Sequence, residues 1–206
     1  MFRLITIGVF TLLIGVSTAM ADTIANRFGL TGRFGFAAPV KVGDAEFING
    51  HSNDTKSGLA WNGGFIYGFT DHLAGELEIS YLPRLDVEVA GIKAYEAKVA
   101  DYAIGVQYRF MPTGQVVPYV GLGIDFINGD LDHVNGTGYD LDWTYGGHVG
   151  AGVDWFLTKG IALTADLRGT GAMSGDVKRG ETKVTEYDPF WIQGTIGVRL
   201  FLPEKW

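Results

Sequence analysis

Across residues 139–157 apolar side chains recur at every second position: Tyr139, Leu141, Trp143, Tyr145, Val149, Ala151, Val153, Trp155 and Leu157, with Gly147 among them. The positions between carry Asp140, Asp142, Thr144, Gly146, His148, Gly150, Gly152, Asp154 and Phe156. Side chains on a strand point to opposite faces with a period of two. The stretch therefore predicts one long strand with an apolar face and a small-or-charged face. Strands of globular proteins usually run to about five or six residues. One this long, with aromatics near both ends of its apolar face, suits a bilayer better than a soluble core.

Seven further segments alternate in the same way, at residues 27–37, 59–70, 73–82, 100–110, 116–127, 161–170 and 190–202. Short turns are expected near Asp71-His72, Pro112-Thr113-Gly114 and Thr158-Lys159-Gly160, and long polar loops at about 39–58, 83–99, 128–138 and 171–189. Within the second loop Leu85, Val87 and Val89 still alternate with Asp86 and Glu88, so that hairpin is expected to project above the membrane. Three short turns and four long loops are what an all-β, eight-stranded antiparallel up-and-down transmembrane β-barrel needs. The even count lets the last strand pair with the first and removes exposed edges.

Alternation alone does not say which face is inside. A soluble, lipocalin-like barrel would turn the apolar face inward around a ligand. The polar face here is crowded with glycine, and its strand cores carry arginine but no lysine. Buried ion pairs favour the planar, bidentate guanidinium, whereas a water-facing sheet uses lysine freely. The expected lumen network is Arg27, Arg33, Arg109, Arg168 and Arg199 against Glu76, Glu78, Asp101, Asp125, Asp154 and Asp166, with His148 beside them. On the opposite face Phe28, Phe69, Phe110 and Trp155 mark the short-turn end, and Phe36, Tyr81, Tyr102, Phe126 and Trp143 the other. These are two candidate aromatic girdles at the membrane interfaces. No lysine or arginine interrupts the apolar face between them, where one would cost about 2 to 4 kcal/mol at mid-membrane. Lipid is therefore expected outside.

Composition agrees. The chain is 47% hydrophobic with positive mean hydropathy, yet no stretch after Ala21 is long and apolar enough for a membrane helix. Residues 1–21 read as a secretory signal peptide: Arg3, an apolar run of residues 4–16 too short to span a bilayer, and the A-x-A site Ala19-Met20-Ala21. Residues 22–206 are then one barrel domain. The formal net charge of −7, with no basic patch, argues against a nucleic-acid partner. Cysteine is absent, so no disulfide framework or thiolate metal site exists.

The pieces Val117-Pro118-Tyr119-Val120-Gly121-Leu122-Gly123 and Gly150-Ala151-Gly152-Val153-Asp154-Trp155-Phe156-Leu157-Thr158, followed by Ile161-Ala162-Leu163-Thr164-Ala165-Asp166-Leu167-Arg168, resemble small bacterial outer-membrane barrels of the OmpW and OmpA-like superfamily. The resemblance covers essentially the whole chain after residue 21 and specifies architecture more than activity. It implies outer-membrane lipids, lipopolysaccharide and the outer-membrane insertion machinery as partners. That machinery reads a terminal aromatic residue in such families, a role that falls here to Trp206, although Pro203-Glu204-Lys205 interrupts the alternation before it. OmpW-like barrels are also associated with passage of small hydrophobic molecules.

Candidate chemistry is sparse. Asp125, Asp130, Asp132, His133, Asp140 and Asp142 gather around the third long loop, but their spacing is not that of an EF-hand, and a solvated acidic rim is the plainer reading. Among the four histidines only His148 is expected inside. The run Gly146-Gly147-His148-Val149-Gly150 lies within a strand and is no nucleotide fingerprint. The sequence assigns no catalytic residue, metal or cofactor. It supports two functional readings: a narrow passive conduit or binding site for small hydrophobic molecules, and a non-conducting structural or adhesive barrel whose loops meet partners.

Overall fold

The computed structural model describes residues 23–40, 46–47, 51–89, 92–136, 138–187 and 189–202. The expected signal peptide and Trp206 lie outside these residues. The described strands are β1 (Phe28–Pro39), β2 (Glu46–Phe47), β3 (His51–Thr55), β4 (Gly58–Gly68), β5 (Leu73–Val89), β6 (Ile92–Arg109), β7 (Val116–His133), β8 (Gly138–Phe156), β9 (Ile161–Ala172), β10 (Gly175–Arg179), β11 (Thr182–Tyr187) and β12 (Phe190–Leu202). Eight of them, β1, β4, β5, β6, β7, β8, β9 and β12, pair with their chain neighbours, and β1 pairs antiparallel with β12 to close the barrel.

Its outer face is the apolar one. Leu122, Val149 and Ile196 are all more than half exposed, Val149 to 68%, whereas Arg199 on the inner face is 0% exposed. A soluble barrel would have the reverse. Within the membrane band the protein is therefore inside out, with lipid as the solvent for its greasy face.

The barrel is lopsided. Strands β1, β4, β9 and β12 are 11 to 13 residues long, whereas β5, β6, β7 and β8 are 17 to 19. About ten tilted residues cross the apolar band, so the second group stands well above it. This corrects the expectation of long polar loops at 83–99 and 128–138: both are mostly strand, and each pair joins in a hairpin. The loops before β4 and after β9 also carry strands. β3 adds to β5 through Asn53↔Val89, and β10 adds to β8 through Val177↔Leu141.

Two bulges explain why the sequence pattern misled here. Leu82 pairs with Val99 and Leu85 with Ala97, so β5 carries one extra residue at Pro83-Arg84. Ile127 pairs with Thr144 and Gly129 with Leu141, so β8 carries one at Asp142-Trp143. An extra residue inverts the face of everything beyond it. Leu73, Leu77, Ile79 and Tyr81 face lipid, but Leu85 beyond the bulge is buried inside. Trp143, Tyr145 and Val149 likewise face outward, whereas Leu141 is buried. The uninterrupted apolar face expected along residues 139–157 is thus broken near its start.

Candidate functional site: a layered lumen

Three layers fill the barrel. At the short-turn end Ile24, Ile66, Ala74, Val117, Phe156, Ala162 and Phe201 form an apolar floor, with the Phe156 and Phe201 rings stacked at 5.6 Å. At the other end Ala37, Ala60, Leu82, Leu85, Ala97, Val99, Ile127, Leu131, Leu141, Val177 and Trp191 form an apolar ceiling. Val87, Tyr95, Tyr139, Ala172 and Tyr187 pack against the ceiling. The charged groups other than Arg27 lie between.

The charges form a continuous chain of alternating sign. Arg109 reaches Asp154 at 2.7 Å, Asp154 also takes Arg199 at 2.9 Å, and Arg199 meets Glu76 at 3.2 Å. Glu76 faces Arg168 at 3.9 Å, Arg168 meets Glu78 at 2.8 Å, Glu78 pairs with Arg33, and Arg33 approaches Asp166 at 3.5 Å. Four guanidinium groups and four carboxylates from six barrel strands on different sides of the wall are tied together. Neutral side chains join the set. Gln107 donates to Glu76 at 2.8 Å, Asn62 donates to Glu78 at 2.8 Å, and Arg199 Nε donates to the Thr31 hydroxyl at 3.0 Å.

Tyr119 stands in the middle. Its hydroxyl donates to Asp166 at 3.0 Å, and the Arg109 and Arg199 guanidinium carbons lie 5.8 and 5.4 Å from its ring centroid. A β-carbon at Gly152 would collide with that ring, so glycine is what lets the tyrosine cross the lumen. Gly123 gives His148 its space in the same way.

The remaining expected lumen residues sit apart from this chain. His148 Nδ1 meets both oxygens of Asp125, at 2.8 and 3.0 Å. Arg27 lies at the floor, donating to the carbonyls of Lys159 and Phe201 at 2.9 and 3.1 Å. Asp101 is buried on β6, and no ion pair reaches it among the described residues. Phe28, Phe36, Phe69, Tyr81, Tyr102, Phe110, Phe126, Trp143 and Trp155 are all exposed on the outer face. No group of three or more His, Asp or Glu suited to a metal occurs among the described residues.

Above the band most of the ion pairs use lysine, and Arg84 meets Glu96 at 3.1 Å. Lys98 meets Asp132 at 2.7 Å, Lys183 meets Asp176 at 2.7 Å, Lys178 pairs with Asp142, and Lys93 meets Asp86 at 2.6 Å and Glu96 at 3.2 Å. Hydrogen bonds to Asp86 and Glu96 raise Lys93 above the ordinary lysine range, and the bond from Lys93 lowers Glu96. Burial pushes the Tyr187 phenol up to about 12, and its hydroxyl donates to the Asp142 carbonyl at 3.2 Å.

A cavity of about 410 Å³ opens at the rim between β8, β9 and β12, lined by Gly146, Gly171, Ala172, Met173, Ser174, Pro189 and Phe190. Ala172 belongs both to this cavity and to the residues packed on the apolar ceiling. Neither the cavity nor the two apolar layers was anticipated from the sequence. The layers were readable there, since Ile66, Phe156 and Ile127 sit at inward positions of the alternation.

The family described as "Outer membrane protein beta-barrel domain" matches residues 8–188. A comparison with curated protein sequences returned no match. Among solved structures, the crystal structure of the outer membrane protein OprG from Pseudomonas aeruginosa is similar at a TM-score of 0.69 and 19% identity, covering 89% of this chain and 99% of that one. Neisserial surface protein A is similar at 0.59 and 14%, covering 85% and 97%. The outer membrane protein AlkL, determined in lipid bilayers, is similar at 0.59 and 15%, covering 88% and 92%. At such identities these likenesses speak for the fold.

Proposed function

Because this chain belongs to the outer-membrane β-barrel family, we propose that it is an exported barrel that takes up small apolar molecules at its loop end. The single observation carrying this reading is the open rim depression of about 410 Å³, lined by Ala172, Met173, Ser174, Pro189, Phe190 and glycine backbone, whose Ala172 also packs against the apolar ceiling. Ligand pockets typically hold about 300 to 1,000 Å³ and are mostly apolar. The OmpW-like resemblance supports the same class of solute.

The lumen network serves as a plug rather than a selectivity filter. An eight-stranded barrel is just wide enough for side chains to fill it, and here Arg33, Arg109, Arg168 and Arg199 each have a carboxylate partner. Under this reading residues 1–21 direct export, Trp206 addresses the insertion machinery, the aromatic rows anchor the barrel in lipid and lipopolysaccharide, and no residue is catalytic. Planar-bilayer recording combined with uptake in a deletion strain tests it. The expected result is no steady ion current but slowed entry of an apolar solute, restored by the intact gene. A large steady current would refute the plug.

A second reading is a structural or adhesive barrel, and the tall β5–β8 wall with its charged outer surface favours it. No current together with unchanged uptake would leave that reading standing.

A further inference from the structure

Two lumen carboxylates are in excess. The chain of ion pairs sets Arg33, Arg109, Arg168 and Arg199 against Glu76, Glu78, Asp154 and Asp166, four against four. Asp101 and Asp125 stand outside it, 1% and 0% exposed. Both oxygens of Asp101 are buried without a hydrogen-bond partner. Asp125 accepts from His148 Nδ1, which lies 2.8 and 3.0 Å from its two oxygens.

The register brings the two carboxylates together. Asp101 pairs across the sheet with Ile127, and Asp125 sits two residues below Ile127 on the same face. They are diagonal neighbours within hydrogen-bonding reach of each other. The charged groups that face Asp101 from the surrounding strands are Asp125 on β7, Glu78 on β5 and Arg168 on β9, with His148 on β8 behind Asp125. Arg168 is taken by Glu78 at 2.8 Å, so among the described residues no cation is left over for Asp101. The His148 ring lies where a β-carbon at Gly105 or Gly123 would press on it, close over the β6 and β7 backbones.

Two ionised carboxylates side by side in a dry interior repel, and a buried anion with no partner is costly even alone. One proton removes both penalties. We infer that Asp101 and Asp125 form a proton-binding site, in which Asp101 carries the proton and donates it to Asp125 while Asp125 also accepts from His148. Val99, two residues above Asp101, and Ile127, opposite it, both belong to the apolar ceiling. The shared proton thus ties β6 to β7 immediately under that ceiling. Its loss sets two anions against each other there, and the ceiling loosens to admit water. Because the closed form binds one proton more than the open form, alkali favours the open one. The site is a catch, shut at neutral pH and released as pH rises.

Infrared spectroscopy of the full barrel in lipid nanodiscs tests the site. At neutral pH the wild type is expected to show the carbonyl stretch of a protonated carboxylic acid, absent in Asp101→Asn. Labelling aspartate carboxyls with carbon-13 should shift that band in the wild type, a check that needs no variant. The asparagine amide donates to Asp125 as the proton did, so Asp101→Asn should hold the catch shut. In the wild type, amide protection at Val99 and Ile127, taken relative to the intrinsic exchange rate, should fall about tenfold per pH unit once the proton is lost; in the variant it should stay level. Retention of the folded form on unheated gels checks the variant. Absence of an aspartic-acid band at neutral pH overturns the site, as does the same pH dependence in both proteins. Ceiling protection that follows sodium concentration rather than pH overturns it in favour of a bound monovalent cation.

Discussion

Two sets of ion pairs, one inside the membrane band and one above it, use the same chemistry for different ends. Inside, arginines are buried and share carboxylates, as Arg109 and Arg199 share Asp154 and Arg33 and Arg168 share Glu78. Above, lysines meet aspartates and glutamates in solvent, as Lys98 does Asp132. A buried charge that loses its partner is stranded in a medium of low dielectric, whereas an exposed one turns to water. The inner set should therefore govern whether the barrel holds together, and the outer set should matter only to local order.

The strongest way to break the comparison is Glu78→Leu. It removes the nearest carboxylate of both Arg33 and Arg168, leaving them only Asp166 at 3.5 Å and Glu76 at 3.9 Å, and should destabilise the barrel by about 3 to 5 kcal/mol, read from urea unfolding in phospholipid vesicles. A loss under about 1 kcal/mol would mean the network is hydrated and adaptable. Next comes Leu122→Lys on the lipid face of β7, expected to cost about 2 to 4 kcal/mol in the same assay. A neutral outcome there would contradict the inside-out assignment.

A smaller effect follows pH in the β5–β6 hairpin. Glu96 is held low by Lys93, so its contribution is complete above the ordinary glutamate range and is lost as pH falls through the depressed value. Lys93 is held high, so its contribution is complete below the ordinary lysine range and is lost as pH rises through the raised value. Amide protection in the hairpin, taken relative to the intrinsic exchange rate at each pH, should stay flat between these limits and fall outside them. A transition near neutrality would show that other groups control it. Smallest of all is Lys98→Ala, for which no change in the unfolding midpoint is expected; a clear shift would place the outer pairs among the determinants of stability.

How much of this was legible in the sequence differs by strand. In β12 the alternation ran undisturbed and its bounds were read without error, because residues 191–200 each have one neighbour on each side and no bulge intervenes. In β7 the inner face changes from Asp125 to Ile127 and Leu131 without a change of phase, so the strand continues where the polarity pattern seemed to end. The charged residues of the lumen were readable from parity alone. Their connectivity was not, since Arg33 and Glu78 are far apart in the chain and meet only when the sheet closes. Tyr119 falls on the inward face by parity, but its place at the centre of the network was not legible, because an inward tyrosine resembles any other aromatic residue until the Gly152 gap beside it is known. The rim cavity had no sequence signal, being formed where β9 ends and β8 takes a different partner.

The extra residue at Asp142-Trp143 has a consequence for how such a chain can change. One residue is half of the two-residue period, so its deletion would barely alter composition yet would rotate Tyr139 and Leu141 outward into water and swing Asp140 over the mouth. Removing two residues would preserve the phase and merely shorten the wall. Length variation at that spot should therefore be tolerated in even steps and punished in odd ones, an arithmetic imposed by the pleat rather than by any particular side chain.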